Sequence, residues 1–274
     1  MTHISLAFLC SIGLLWHGTF GYITEECTGP RNADDIIDIV KNKNNITSAY
    51  KKRTRPNLSK LIADNPKANP FLSSPDVIRF KIQVLYIKNV DQRRGEVEML
   101  IMMYYLWNDY RLNFTSSNHC YAQKEREPMD MHDFSSFWSP RYTVLNAASK
   151  LKEMESCFFV FPNGDVAIAK RLRLSVGCKF DFKKFPKDTQ TCQIVIGAID
   201  DVNNILFDFL SPAIEEPSDA DEAVSGSSSE WNIVNLRAFT STHEVNNPKS
   251  IAVFEVDIER KSVYYEQNVI YQWL

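Results

Sequence analysis

Between Cys178 and Cys192 the chain reads Cys-Lys-Phe-Asp-Phe-Lys-Lys-Phe-Pro-Lys-Asp-Thr-Gln-Thr-Cys, two cysteines bracketing thirteen residues. No other segment constrains the chain as tightly. Phe180 and Phe182 alternate with polar residues as a strand edge requires, and Phe185-Pro186 then forces a turn. A disulfide between the two cysteines would close a loop of about 15 residues and stabilise the fold by roughly 3 kcal/mol.

The compartment decides whether such a cross-link can form. Residues Ile4 to Leu15 are an apolar run, and Thr19 and Gly21 place small side chains at the −3 and −1 positions before Tyr22. That pattern reads as a secretory signal peptide over 1–21, since a membrane span needs about 20 apolar residues. Sequons at Asn45, Asn57 and Asn113 are candidate glycosylation sites on the same route. The secretory route makes disulfides possible for Cys27, Cys120, Cys157, Cys178 and Cys192. Their number is odd. Two arrangements stay open: a free Cys157 with Cys27 and Cys120 paired, or a Cys120–Cys157 bridge.

Residues 22–274 read as one domain. Asp34 to Tyr50 places Ile36, Ile37 and Val40 on one face behind two acids, a short amphipathic helix. Lys51 to Asp76, punctuated by Pro56, Pro66, Pro70 and Pro75, reads as loop. Strand patterns follow at Val77–Tyr86, Glu96–Leu106, Phe158–Phe161, Val166–Leu174, Gln193–Ile196, Ile205–Leu210, Trp231–Phe239 and Ile251–Ile258. Short strands without βαβ alternation predict an all-β, immunoglobulin-like antiparallel sandwich of about ten strands with an N-terminal helix. Residues 211–230 carry six acids and six serines and read as an exposed connection. Glu215, Glu216, Asp219, Asp221 and Glu222 could hold Ca²⁺ there, but a solvated loop explains them more simply.

The pattern Cys-x-Phe-x-Phe-x-x-Phe-Pro-x-Asp-x-x-x-Cys resembles, at every defined position, the signature loop of Cys-loop receptors, the pentameric ligand-gated ion channels. Other pieces fall in the family's order. Trp107-Asn-Asp109-Tyr-Arg111-Leu112 resembles its Trp-x-Asp-x-Arg/Lys-Leu, and Trp138-Ser-Pro140 its Trp-x-Pro-Asp, with Arg141 in place of the Asp. Asn163-Gly164-Asp165 resembles a hairpin of the family, and Arg260 to Ile270 the segment leading into a channel's first membrane helix. The resemblance spans roughly residues 30–274. It implies a ring of five copies, here a homopentamer, with ligands held between neighbours. No segment after the leader is long enough to span a membrane, so the expectation is a secreted protein similar to acetylcholine-binding proteins. The alternative is the extracellular domain of a channel whose pore is absent from this chain.

Motif offsets carry the family's binding positions onto this sequence. A quaternary ammonium is held by aromatic faces, each worth about 2 kcal/mol or more when desolvated. Here the first-loop tyrosine is Leu145, just before Asn146, and the second-loop tryptophan is Ile199, followed by Asp200 and Asp201. On the opposing face the tryptophan is Met102, with Tyr104 on the same strand face. Phe159, Ala167 and Ala169 line that face beside Cys157. The capping hairpin, Thr240 to Ser250, has neither a cysteine pair nor a tyrosine, leaving Phe239 at its root and His243. The resemblance therefore implies a small, less polar, non-cholinergic ligand, with Asp200, Asp201, His243 and Arg171 as candidate steering groups. A cleft that has filled in and binds nothing is the competing reading.

Other classes have little support. Only His119, His132 and His243 remain after the leader, and no Gly-rich phosphate loop, Gly-x-Ser-x-Gly, His-Glu-x-x-His or Cys-x-x-Cys is present. That gives no catalytic centre, cofactor or metal site. A net charge of −3 without basic runs argues against nucleic acid.

Overall fold

The computed structural model describes residues 50–113, 129–131, 137–161, 163–215, 230–243 and 248–265. The leader, the helix expected over 34–50, Asn45, Cys27, Cys120, most of the acidic connection and the hairpin tip lie outside the described residues.

Two sheets face each other. The larger contains, in spatial order, β3 (Met129–Met131), β5 (Lys152–Val160), β6 (Asp165–Gly177), β2 (Glu96–Asn108), β1 (Asp76–Asp91) and β8 (Ile205–Glu215). The smaller contains β4 (Tyr142–Val144), β7 (Thr189–Ala198), β10 (Lys249–Arg260) and β9 (Trp231–His243). This is the expected all-β sandwich. One pairing departs from the antiparallel expectation: β1 and β8 run parallel, Asp76 opposite Ile205. A parallel neighbour needs a long crossover, and the intervening sequence supplies β2 to β7.

Alternation sets the core. Met99, Ile101, Met103, Tyr105 and Trp107 of β2 point inward and meet Ile194 and Ile196 of β7 and Phe254, Val256 and Ile258 of β10. Strand β2 is unusual in being buried on both faces from Met99 to Tyr105. Leu100, Met102 and Tyr104 on its outer face form a second, separate apolar cluster.

The region 51–76, expected as loop, contains α1 (Pro56–Asp64). Pro56 opens it at a position where a proline costs no hydrogen bond. Its cap comes from a distance: the Asp76 carboxylate accepts the Asn57 N–H at 3.0 Å and an Arg55 N–H at 3.0 Å. Burial pushes the Asp76 carboxyl above its ordinary value despite these donors. The three-residue strands β3 and β4 were also outside the sequence expectation, being too short to show a period.

Gly164 closes the β5–β6 hairpin with φ +86°, and its carbonyl accepts the Asp109 N–H at 2.8 Å. A β-carbon there would lie 2.6 Å from the Asp109 carbonyl oxygen. Gly164→Ala combines a left-handed backbone with that clash and is expected to cost about 2 kcal/mol or more. Urea unfolding checks it: an unchanged midpoint would show that the hairpin relaxes freely.

Candidate ligand-binding site

The candidate positions divide into two groups on opposite outer faces of the sandwich. Strand register fixes the first. Leu106 lies opposite Ala167, Tyr104 opposite Ala169 and Met102 opposite Arg171. On the far side of β6, Phe159 pairs with Ala167, Cys157 with Ala169 and Glu155 with Arg171. Met102, Tyr104, Cys157, Phe159, Ala167 and Ala169 thus share one buried cluster.

The second group sits on the smaller sheet. Ile194, Ile196 and Ala198 of β7 face the core, so Val195 and Gly197 face outward. Leu145 lies over Gly197, where any β-carbon would meet its Cδ1 at 2.9 Å. Leu145, Ile199 and Phe239 are 54%, 41% and 44% exposed, three apolar side chains facing solvent. Asn146 plays a different part from its neighbours. Its amide donates to the Gln193 carbonyl at 2.7 Å and accepts the Val195 N–H at 3.1 Å, fastening the chain after β4 to β7. His243 ends β9 opposite Lys249.

The Cys178–Cys192 disulfide is formed, and the loop it closes is held at its base. Arg260 of β10 donates to both Asp188 carboxylate oxygens, at 2.6 and 3.0 Å. Its guanidinium lies 4.2 Å from the Trp231 ring centre and 5.0 Å from that of Phe185. The sequence named Asp188 as the acid of the signature pattern and Arg260 as the start of the segment leading to Ile270, but not that the two pair.

The profile of the family "Neurotransmitter-gated ion-channel ligand binding domain" matches residues 43–262. The chain belongs to that family. It is 23% identical over 177 residues to glycine receptor subunit beta of Rattus norvegicus, covering 61% of this chain and 32% of that protein. It is 28% identical over 171 residues to gamma-aminobutyric acid receptor subunit pi of Bos taurus, covering 61% and 34%. Acetylcholine receptor subunit beta-type acr-2 of Caenorhabditis elegans matches at 24% over 195 residues, covering 70% and 32%. The chain spans about a third of the length of these relatives. No helix among its described residues is long and apolar enough to cross a membrane.

Within this ligand-binding domain the charges around both groups are already engaged. Lys81 places its Nζ 5.9 Å from the Tyr104 ring centre while pairing with Glu215 at 2.8 Å. Arg141 pairs with Asp200 at 2.8 Å. One Asp201 carboxylate oxygen accepts the Asn203 N–H at 3.0 Å and the Asn204 side-chain amide at 3.2 Å. Arg171 reaches Glu155 only at 3.9 Å.

One expectation changes with the structure. Cys157 is disulfide-bonded, not free, although it does lie in the Tyr104 cluster; its partner sulfur is outside the described residues. Asn57 is part of α1, and its side-chain amide nitrogen donates to the Pro75 carbonyl at 2.8 Å. A glycan on that nitrogen would leave a single N–H, which this bond would then occupy. Asn113, just past the turn at Tyr110–Leu112, keeps a longer contact of 3.4 Å to the Asn163 carbonyl.

Proposed function

We propose that this domain binds a small, weakly polar, non-cholinergic ligand outside the cell, at the junction between two copies in a homopentameric ring. The observation that carries the reading is the division of the apolar positions between opposite faces. Leu145, Ile199 and Phe239 look outward from one sheet, and Met102, Tyr104, Phe159, Ala167 and Ala169 line the outer face of the other. One copy cannot bring them together, whereas neighbours in a ring can. A quaternary ammonium fits poorly because Tyr104 already has Lys81 near its ring.

Two settings suit such a site. A secreted protein would buffer or scavenge its ligand, whereas a receptor would use the domain as its sensing portion. The receptor subunits it resembles, of which the matched stretch is about a third, support the second setting. A transcript with a stop codon after Leu274 would support the first, and continued apolar codons the second.

Binding is tested on the purified chain. Size-exclusion chromatography with light scattering should return five copies. Neutral apolar probes such as cyclohexanol should raise the melting temperature with concentration, while acetylcholine and nicotine should not. Sub-micromolar affinity for either amine, or a lone subunit, would overturn the reading.

A further inference from the structure

The segment carrying Ile199 is fastened at three points. The Ile199 N–H donates to the Arg141 carbonyl at 3.2 Å, and the Arg141 guanidinium donates to the Asp200 carboxylate at 2.8 Å. The Val202 N–H donates to the Pro248 carbonyl at 2.9 Å, at the root of the β9–β10 hairpin. Arg141 thus holds the backbone of one site residue and the side chain of the next. It also stands where the resembling motif carries an aspartate, so the acid of this corner sits on Asp200 and the base on residue 141.

We propose that Arg141 is a positioning and specificity-determining residue of the junction site, an inference that rests on the function proposed above. The backbone bond sets where Ile199 is presented. The ion pair turns the Asp200 carboxylate toward the guanidinium and cancels its charge, so this corner offers a ligand an aliphatic side chain instead of an anion. Asp201 keeps its charge but is directed into its own turn, where Asn203 and Asn204 donate to one of its oxygens. On this face of the junction Arg141 is therefore what weakens the attraction for cations, as Lys81 does beside Tyr104 on the other. The pair is partly exposed, with the Arg141 and Asp200 side chains 66% and 33% accessible, so the effect is moderate rather than absolute.

The test is a titration of the full-length protein with tetramethylammonium, followed by NMR, alongside cyclohexanol as a neutral probe. Arg141→Gln should bind tetramethylammonium about three- to fivefold more tightly than the wild type. Arg141→Lys, which keeps the positive charge, should behave as the wild type. Adding Asp200→Asn to Arg141→Gln should abolish the gain. No gain in Arg141→Gln, or a gain that survives Asp200→Asn, would overturn the proposal. A cyclohexanol response without the cation gain would count against Arg141 alone. Absence of any cyclohexanol response in the wild type would count against the pocket itself.

Discussion

Replacing Asp188 with alanine will destabilise the domain by about 3–5 kcal/mol, because it leaves the Arg260 guanidinium buried without its counter-charge. The side chains of Arg260 and Asp188 are 0% and 1% exposed, so water cannot take over. Gln190 adds a donor at 2.6 Å to the second carboxylate oxygen, and the Arg260 N–H donates to the Asp188 carbonyl at 3.1 Å. Removing both charges together, as Asp188→Leu with Arg260→Met, should recover most of the loss, since a buried pair gains little over apolar residues of similar volume. The same pair sets an acid limit. Burial by itself would raise the Asp188 carboxyl, but the hydrogen bonds from Arg260 and Gln190 outweigh it and hold the group below the ordinary carboxylate range. A carboxyl depressed in the folded state contributes stability that is complete above its unfolded value. That contribution is lost as pH falls below about 4. Urea midpoints between pH 6 and 3 should therefore fall more steeply for the wild type than for Asp188→Asn. A loss below about 1 kcal/mol in Asp188→Ala would mean that the Arg260 charge finds water in the variant.

How far the sequence could be read follows from where each constraint lies along the chain. Strand β1 was visible because its inward and outward residues alternate locally, and β2 because its run of strand-favouring residues is equally local; neither signal needs knowledge of neighbours. Helix α1 was not, because its cap is Asp76, twelve residues past the helix end, and its opening proline looks like a breaker when read alone. The parallel β1–β8 pairing joins residues more than a hundred positions apart, Asp76 and Ile205, and no periodicity reports it. For the candidate site, motif offsets pointed to Leu145, Ile199, Met102 and Tyr104. They could not show that Asn146 spends its amide on β7, or that Lys81 comes within 5.9 Å of the Tyr104 ring centre. Those facts depend on cross-strand register. The pairing of Cys157 depends likewise on chain proximity, which spacing does not encode.

Asp109→Ala is expected to cost a similar amount, about 3–5 kcal/mol, through a network rather than a single pair. Asp109 is 0% exposed, and its carboxylate takes Arg111 Nε and Nη2, both at 2.7 Å, together with the Tyr50 hydroxyl at 2.7 Å. Arg111 then donates to the Thr54 carbonyl at 2.9 Å and lies 4.4 Å from the Tyr50 ring centre. The Tyr50 oxygen accepts the Trp138 N–H at 3.0 Å. One carboxylate thus ties the end of β2, the segment before α1 and the chain leading to Leu145. Burial, reinforced by the Asp109 charge, pushes the Tyr50 phenol well above its usual range, so it stays protonated and keeps donating throughout ordinary pH. Tyr50→Phe removes one donor and leaves the ion pair, and should cost about 1–2 kcal/mol. In the Asp109→Ala background the same change should cost much less, because the hydroxyl has already lost its acceptor. A double-mutant cycle by urea unfolding reads this coupling directly. Additive losses would show that Tyr50 acts through its ring packing on Phe137, 5.9 Å away, and not through Asp109.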